Sequence, residues 1–446
     1  MWSEPEAMAL SSHFLDEDKA LACVHCGLCL GSCPTYLETG NENDSPRGRV
    51  YLMRSIENGR LSLNGSHSPV SHMDRCLGCR ACETACPSGV AYGQLLEATR
   101  DHIERHARRP WYQRLLRRWL IEKIFPFPTR FRWAALPAMA VKRMDIASLL
   151  PRFLSEAMEL LPDKLSRVRL PALAPSHTQP ARGRVGLLTG CVMPVLFGKT
   201  HQSTIQLIQA LGFDVVIPSQ QRCCGALHAH SGKLAEAREL AQHNLQVFEQ
   251  ADCDVVLANA AGCGSTLSEY DHLLSQDPVV WERASQFVAK VRDFSEWMEQ
   301  QGASLRERFA SAHAQGWSLP EPLNGLTTFH DACHLAHAQG ITMPPRQWVQ
   351  AVAGPHYVEL NEADICCGSA GSYNLTEPEM AARLQLRKTS HIRQSKASLV
   401  ITTNPGCILQ IQSGLKKEGL SSVRVMHLAD YLEMALRHLP SEIARR

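Results

Sequence analysis

The sequence predicts an α/β protein in which a helical N-terminal module is followed by two tandem repeats, each built around a parallel sheet. Two observations support this. The pattern Cys-x2-Cys-x2-Cys-x3-Cys-Pro occurs twice between residues 23 and 87, and a set of landmarks that includes Cys-Cys-Gly occurs twice between residues 184 and 435. The expected divisions are residues 1–100 for the module, 101–184 for a basic helical region and linker, and 185–300 and 326–435 for the repeats.

The two cysteine runs have the spacing of ligands to [4Fe-4S] clusters. Three cysteines at i, i+3 and i+6 in a tight loop can bind three corners of one cluster, whereas the fourth, before a proline, reaches the other cluster in two-cluster ferredoxins. We therefore expect a ferredoxin-like module with two [4Fe-4S] clusters and crossed ligation. One cluster is expected to be held by Cys23, Cys26, Cys29 and Cys86, and the other by Cys76, Cys79, Cys82 and Cys33.

Structural zinc is the alternative occupant, because Cys-x2-Cys is also the spacing of zinc knuckles. Zinc sites usually combine two separated knuckles, so complete quartets that end in Cys-Pro fit zinc poorly. Disulfides fit less well still. Such dense runs are typical of small secreted scaffolds, whereas this chain has 446 residues.

Composition excludes several classes of function. The net charge of +2 does not indicate nucleic-acid binding, and no DNA-binding element is recognisable. The first 18 residues lack the basic start and apolar run of a signal peptide, and no stretch of about 20 apolar residues could span a membrane. With 17 cysteines and no signal, we expect a cytoplasmic protein in a reducing compartment, with peripheral attachment to the inner membrane left open.

A helix is expected between the two cysteine runs. Ser45 followed by Pro46 is a typical helix start, and apolar residues recur at helical spacing over residues 50–56. The cluster loops are therefore expected on helices rather than on a small β-sheet. Arg47 and Arg49 are candidates to offset cluster charge, although solvated surface arginines are more common.

Residues 108–132 carry eight Lys or Arg and the single acid Glu122. Large apolar side chains recur there at spacings near four: Trp111, Tyr112, Leu115, Leu116, Trp119, Leu120, Ile124 and Phe125. The pattern predicts a basic amphipathic helix that ends at the prolines at 126, 128 and 137. Such a helix could lie on a lipid surface, dock a partner subunit or pack across the protein's own domains. Residues 162–184 are expected to be a proline-rich linker.

The C-terminal half is an internal duplication. In each copy a strand leads to a cysteine, Cys-Cys-Gly follows, and a later strand leads to Gly-Cys; the residues between these cysteines number 31 and 38 in copy one, and 32 and 39 in copy two. Short apolar strands that alternate with helices predict βαβ units, whose functional groups gather at the carboxyl ends of the strands. We therefore expect the cysteines of both CCG repeats along one rim, where the copies face each other.

Each copy supplies four candidate cofactor-binding cysteines. They are Cys191, Cys223, Cys224 and Cys263 in copy one, and Cys333, Cys366, Cys367 and Cys407 in copy two. An additional iron-sulfur cluster per copy, zinc, or no metal with dithiol chemistry are the alternatives, since four thiolates suit either metal. Nearby histidines are candidate ligands or proton carriers, although each alone is more often a packed or surface residue. They are His228, His230, His330, His334 and His337. Cys253 has no counterpart in copy two and is expected to be a buried hydrophobic residue.

Four segments resemble the iron-sulfur subunit of bacterial glycolate oxidase: ACVHCG at 22–27, PRGRVYL at 46–52, CETACPSGV at 82–90 and CCGSAG at 366–371. The likeness covers nearly the whole chain and is weakest between residues 100 and 184. Iron-sulfur subunits of lactate-utilising systems, anaerobic glycerol-3-phosphate dehydrogenase and heterodisulfide reductase share the same parts. The CCG repeat of this family often ends in Cys-x-x-Cys, whereas Thr266 and Gln410 stand at the last position here. This departure argues against the unusual five-cysteine cluster of heterodisulfide reductase-like proteins.

The resemblance implies the iron-sulfur electron-transfer subunit of a multisubunit flavin-dependent 2-hydroxy acid dehydrogenase. FAD-binding partner subunits would oxidise glycolate to glyoxylate, and electrons would pass through the two cubanes to a quinone or another membrane acceptor. No G-x-G-x-x-G follows a strand, so the chain itself is expected to be an electron conduit without catalytic residues. The alternatives are the equivalent subunit of a lactate or glycerol-3-phosphate dehydrogenase, or a thiol/disulfide enzyme that uses the paired cysteines.

Overall fold

The computed structural model describes residues 13–144, 158–159, 161–162, 164–321 and 323–440. Residues 1–12, which belong to the stretch without a signal-peptide pattern, lie outside this part. Up to residue 144 the described chain contains helices and no strand, which confirms the predicted helical module. Its helices are α1 (Glu17–Leu21), α2 (Pro34–Thr39), α3 (Pro46–Glu57), α4 (Val70–Arg75), α5 (Ala81–Thr84) and α6 (Tyr92–His106), with a 3-10 turn at Glu42–Asp44.

Helix α3 begins as the sequence predicts. The Ser45 hydroxyl accepts a hydrogen bond from the Gly48 amide at 3.0 Å, and Pro46 occupies the first turn. Only glycine fits at position 48, because a Cβ atom there would lie 1.9 Å from the carbonyl oxygen of Glu42. Val50 and Met53 are buried in the core that supports both cysteine loops.

The basic region forms two helices instead of one. α7 (Trp111–Arg117) continues into a π-helical turn (Arg118–Ile124), and α8 (Pro128–Arg143) follows. Pro128 begins α8, where its missing N–H is not needed, and Pro137 lies inside α8. The prediction that Pro137 ends the helix is therefore wrong. The side chains of Tyr112, Leu116 and Leu120 lie outside the described part of the chain.

The C-terminal half contains two sheets in which consecutive βαβ strands are parallel. Copy one holds β1 (Leu173–Ala174), β2 (Arg184–Leu188), β3 (Asp214–Val216), β4 (Val255–Ala258) and β5 (Val291–Asp293) in the order β1-β3-β2-β4-β5. Copy two holds β6 (Thr327–Phe329), β7 (Leu399–Thr402) and β8 (Arg424–His427) in the order β6-β7-β8. Within these sheets only β1 is antiparallel to its neighbour. It lies in the predicted linker, so that segment also adds an edge strand that the sequence pattern did not indicate.

One hydrophobic core joins the two copies. Leu187 of β2, Phe329 of β6 and the indoles of Trp297 and Trp348 are buried in the same cluster. The helices of this half are α9 (Met193–Leu196), α10 (Gly198–Ala210), α11 (Ala226–His230), α12 (Leu234–Gln250), α13 (Ala261–Leu267), α14 (Tyr270–Leu273), α15 (Pro278–Lys290), α16 (Phe294–Gln301), α17 (Ala303–Ala314), α18 (Met343–Ala353), α19 (Tyr373–Thr376), α20 (Pro378–Ser395), α21 (Pro405–Lys417) and α22 (Leu428–Arg437). Of these, α10, α16, α17, α18 and α22 contribute buried residues to the shared core. No described helix is both long and apolar enough to cross a bilayer.

The carboxyl ends of the two sheets face each other. The Ala261 amide donates to the Thr403 carbonyl at 3.3 Å, and the His427 ring lies 2.8 Å from the Asn259 carbonyl oxygen. The cysteines that follow β2, β4, β6 and β7 therefore lie at this common rim, as expected for parallel sheets.

Candidate metal centres

The two loops of the helical module have the same backbone shape. His25 and Gly78 occupy equivalent positions between the first two cysteines of each run and have φ angles of 56° and 65°. Gly27 and Arg80 occupy the next equivalent positions, with φ angles of 84° and 63°. His25 and Arg80 hold a left-handed conformation that is costly for residues with a Cβ atom. Both loops therefore present three thiols in the same way.

The structure brings Cys33 close to cysteines of both runs. Burial raises the pKa of the Cys82 thiol, and the neighbouring thiols of Cys79, Cys76 and Cys33 raise it further. In the first run the Cys29 thiol interacts with Cys23 and Cys33. Cys23, Cys29 and Cys86 pack against the hydrophobic cluster that contains Cys76 and Cys82, so this cluster does not separate the two expected quartets.

Arg49 places a buried positive charge at the second set of thiols. Its guanidinium has no exposed surface, donates to Thr35 at 3.0 Å and lies 3.9 Å from the sulfur of Cys33. Burial disfavours its charge, but neighbouring Cys76 and other acidic groups keep the pKa of Arg49 above its usual range. The surface interpretation is therefore wrong for Arg49. Arg47 remains partly exposed, pairs with Glu42 at 2.7 Å and donates to the His25 carbonyl.

Arg100 joins this module to copy one, although its sequence pattern is that of an ordinary helix residue. It donates to the carbonyl oxygens of Met73 and Cys76, at 2.9 and 2.5 Å, and to that of His230 at 2.8 Å. Burial opposes ionisation of Cys76, but Arg49 and Arg100 lower the pKa of this thiol overall. Two arginines therefore stabilise a thiolate at position 76.

The four cysteines of copy one form a continuous row. Cys223 makes side-chain contacts with Cys191 and Cys224, and Cys224 also contacts Cys263. The first three are buried, and Cys263 lies at the start of α13. Gly225, at φ 93°, turns the chain immediately after the pair. The structure thus brings all four candidates together.

Copy two repeats the row in the same order. Cys366 contacts Cys333 and Cys367, and Cys367 contacts Cys407. The row adjoins the helical module, since the pKa of Cys79 is raised by burial and by the nearby Cys333 thiol. Cys79 and Cys366 also belong to one hydrophobic cluster. The copy-two thiols therefore adjoin those of the second cysteine loop of the module.

The positions of the missing fifth cysteines are filled by hydrogen-bonded side chains. Thr266 donates to the Gly262 carbonyl at 3.3 Å, and Gln410 donates to the Ala381 carbonyl at 3.2 Å. The Gln410 oxygen also accepts from Asn374 at 2.7 Å. Neither side chain is available as a ligand, which agrees with four thiols per copy. Cys253 packs beneath Gly186 of β2, where a Cβ atom would lie 2.8 Å from its sulfur, so its role in packing is as expected.

The candidate histidines have four different environments. His334 and His337 bridge copy two to the module, because their rings contact the Gly78 carbonyl at 3.0 Å and the Thr84 hydroxyl at 3.1 Å. His230 pairs with Glu97 at 2.8 Å and packs edge-on against His334. His228 is buried near Cys223, and its Nδ1 atom has no hydrogen-bond partner. His330 lies directly beside the copy-two thiols, with one ring nitrogen and the sulfurs of Cys367 and Cys407 all within 4.8 Å of one another.

A cavity of about 600 Å³ lies among copy one, the module and the basic region. Its lining includes Cys76, the four copy-one cysteines, Cys333 of copy two and apolar side chains such as Phe125 and Phe131. All four cysteines of copy one therefore border this largely apolar space, whereas of the copy-two row Cys333 alone is part of its lining.

Comparison with known proteins identifies both parts of the chain. Residues 19–90 match the family model of the 4Fe-4S dicluster domain, and residues 185–268 and 327–412 match that of the CCG cysteine-rich domain. The dicluster match agrees with the iron-sulfur interpretation of the first two cysteine runs.

Three relatives extend this comparison. The chain is 39% identical to the probable glycolate oxidase iron-sulfur subunit of Bacillus subtilis, over 99% of this chain and 100% of that protein. It is 33% identical to the glycolate oxidase iron-sulfur subunit of Escherichia coli, over 97% and 98%. The lactate utilization protein A of Exiguobacterium is 28% identical over 57% of this chain and 98% of that protein.

Proposed function

Because the chain belongs to the family of glycolate oxidase iron-sulfur subunits, we propose that it is the electron-transfer subunit of a flavin-linked glycolate dehydrogenase. In this proposal FAD-binding partner subunits oxidise glycolate to glyoxylate. This chain accepts the electrons singly and delivers them to a quinone or another membrane acceptor. The complex would work on the cytoplasmic face of the inner membrane.

The packing of the second cysteine loop on copy two is the observation that carries the proposal. Leu77 and Cys79 of this loop share a hydrophobic cluster with Cys366 and Tyr373. The Tyr373 hydroxyl donates to the Arg75 carbonyl at 2.7 Å, which fixes the two parts to each other. Redox groups held by these thiols would therefore be neighbours across a dry, rigid contact.

The thiol groups fit iron-sulfur chemistry. We propose that Cys23, Cys26, Cys29 and Cys86 hold one [4Fe-4S] cluster, that Cys76, Cys79, Cys82 and Cys33 hold the second, and that the eight CCG cysteines hold further clusters or zinc. Bound clusters would supply one-electron transfer. The chain's own residues hold the sulfurs, exclude water and balance negative charge, the last through Arg49 and Arg100.

The basic region provides a surface for the membrane. Trp111, Trp119 and Trp133 are 75%, 58% and 72% exposed. Arg109 and Arg117 instead turn inward to Asp74 and Glu104. Exposed indoles favour the interface between lipid and water, so we propose that this face makes the peripheral membrane contact. The cavity behind it would place the copy-one row near an apolar acceptor.

The test uses the chain coexpressed with its flavin subunits and purified without oxygen. Iron and acid-labile sulfide are measured per chain, glycolate is added, and the reduced clusters are followed by EPR. We expect at least about eight irons, reduction by glycolate, and electron delivery to a short-chain quinone. A variant with Cys223, Cys224, Cys366 and Cys367 changed to Ser should retain about eight irons and reduce its flavin but not the quinone.

Fewer than about four irons in fully loaded protein would exclude the two-cubane assignment. Undiminished quinone reduction by the fourfold variant would show that the CCG half is not on the electron path. Lactate is tested in parallel because a relative is a lactate utilization protein. If lactate reduces the clusters faster than glycolate does, then lactate and not glycolate is the substrate of the complex.

A further inference from the structure

His330 is buried at the copy-two thiols, and the Ala363 carbonyl lies near its ring without the geometry of a hydrogen bond. It follows strand β6, and its side chain is 1% exposed. In the part of the chain that the structure describes, it is the one histidine whose two ring nitrogens are both buried without a hydrogen bond. Leaving a buried polar atom without a hydrogen bond is costly in a folded protein, so a position like this calls for a binding partner.

The geometry around His330 supplies that partner. One ring nitrogen lies within 4.8 Å of the sulfurs of Cys367 and Cys407, which also lie within 4.8 Å of each other. Ligand atoms about 2.0–2.3 Å from one metal ion lie roughly 3–4 Å apart in a tetrahedron. The three groups therefore need only a small movement to share an ion.

Neighbouring polar side chains are already bound elsewhere. Both carboxylate oxygens of Asp331 accept from Arg346, at 3.0 and 2.7 Å. The Lys388 ammonium donates to the carbonyl oxygens of Glu362 and Ala363. Their hydrogen bonds are thus made to groups other than His330, although the Lys388 ammonium also interacts electrostatically with Cys366 and Cys367.

Copy one has no nitrogen at the position equivalent to His330. Leu188 stands three residues before Cys191, as His330 stands three residues before Cys333, and it is buried against the copy-one thiols. An apolar side chain at this position cannot ligate a metal. The unpartnered histidine near the copy-one thiols, His228, comes instead from the segment after Cys224. The two rows of four thiols therefore differ in the donor atom available at this strand end.

We propose that His330 is a nitrogen ligand to the metal centre of copy two, which makes that centre a mixed thiolate-imidazole site. The inference rests on the metal occupancy that the proposed function assigns to the copy-two cysteines. Three of these cysteines together with His330 form the Cys3His donor set of zinc sites. The same imidazole on an iron of a cluster would raise its reduction potential above that of an all-cysteine cluster.

The first experiment measures the ligand directly in the intact complex. Protein labelled with 15N-histidine is purified without oxygen, and iron, zinc and sulfide are quantified. Pulsed EPR of the reduced clusters then detects 15N-histidine coupling if iron occupies copy two, and zinc K-edge absorption detects imidazole scattering if zinc does. We expect one histidine nitrogen per copy-two centre. A metal centre in copy two with sulfur ligands alone would overturn the inference.

Three variants test the assignment to His330. His330→Leu, which reproduces Leu188 of copy one, should abolish the nitrogen signal and raise metal loss to a chelator by at least about 10-fold. His330→Cys should keep the metal but not the nitrogen signal. The control His201→Leu removes another buried histidine, whose ring nitrogens contact the Thr189 carbonyl and the Asn259 amide, both at 3.1 Å. It should retain the signal.

Persistence of the nitrogen signal in His330→Leu or His330→Cys would overturn the inference. Should His330→Leu not fold, His330→Cys and the wild-type spectra decide the question. A nitrogen signal in a complex whose clusters glycolate does not reduce would support His330 while refuting the proposed substrate. Reduction by glycolate with no copy-two metal would refute His330 and the metal assignment while leaving the substrate intact.

Discussion

The two CCG repeats hold the same row of four thiols in different surroundings. In copy one the row borders a cavity and lies beside Leu188. In copy two the row is packed against the cysteine loop that carries Cys79, and His330 lies at one end of it.

The buried helix behind each row differs as well. The Ala237 carbonyl lies over Gly225 and the Ala381 carbonyl over Gly368, so residues seven positions later correspond. These are Asn244, which donates to the Cys223 carbonyl at 2.9 Å, and Lys388, whose ammonium interacts with the copy-two thiols. Strand ends and glycine turns thus keep the thiols in place, while the side chains behind them set charge and access. The duplication has preserved the ligands and diverged in their environment.

The largest expected effect is on quinone reduction, and it tests the order in which the two rows of cysteines receive electrons. If copy two receives electrons from the module, a Cys366→Ser, Cys367→Ser double variant should lower quinone reduction at least about 100-fold and leave the copy-one centre oxidised after glycolate is added. A Cys223→Ser, Cys224→Ser variant should also stop quinone reduction, but its copy-two centre should become reduced. Stopped-flow absorbance and EPR of frozen samples measure both. Reduction of copy one in the first variant would reverse or remove the proposed order.

The glycine turns should differ in their tolerance of a side chain. Gly225 and Gly368 have φ angles of 93° and 89°, which cost an L-residue about 1–2 kcal/mol. An added Cβ atom would lie 3.2 Å from the Ala237 carbonyl oxygen in copy one, but 2.6 Å from that of Ala381 in copy two. Gly225→Ala should therefore cost about 1–2 kcal/mol of unfolding free energy and Gly368→Ala about 3 kcal/mol. Urea unfolding, combined with metal analysis, measures the loss of unfolding free energy in each variant. Equal losses would show that the structure around Gly368 adjusts to the added Cβ atom without further cost.

Many features that the two copies share could be predicted from the sequence. The features that could not be predicted depend on tertiary contacts. The cysteine spacing predicts the quartets and the duplication, because ligand spacing and strand-helix alternation are local patterns. The burial of Arg49 and the position of Lys388 depend on which distant segments cover them, and a charged residue in a helix pattern indicates a solvated face. Pro137 inside α8 and the edge strand β1 are likewise decided by tertiary contacts. His330 was one of five candidate histidines until the geometry separated it from the others.

A third difference concerns the residue that caps the helix after the last strand of each copy. Asp293 accepts from the Ser295 amide, and His427 accepts from the Ala429 amide. Burial raises the pKa of Asp293 to about 6 and lowers the pKa of His427. A raised carboxyl pKa stabilises the fold below the unfolded value near 4 and loses that contribution as pH rises through about 6. A lowered histidine pKa stabilises above about 6.5 and loses that contribution as pH falls.

Asp293→Asn keeps the cap and removes the titration, so it should reduce the loss of stability between pH 4 and pH 7 by about 2 kcal/mol. His427→Asn should instead reduce the loss of stability that occurs as the pH falls below about 6.5. Urea midpoints measured across this pH range for both variants give the comparison. If Asp293→Asn retains the wild-type decline in stability between pH 4 and pH 7, another group is responsible for that decline.

The smallest expected effect tests the buried charge behind copy two. Lys388 is 2% exposed, and burial lowers its pKa while the thiols of Cys367 and Cys366 raise it. Its positive charge favours the more negative, reduced state of an iron centre held by these thiols. Lys388→Met keeps the length of the side chain and removes the charge, so the midpoint potential of the copy-two centre should fall by about 60 mV, or about 1.4 kcal/mol for one electron. Lys416→Met, on an exposed face of α21, is the control and should leave the potential unchanged. Spectroelectrochemical titration measures both variants. An equal potential in Lys388→Met and wild type would mean that the charge of Lys388 has no net effect on the copy-two centre. The electrostatic difference between the copies would then rest on His330 alone.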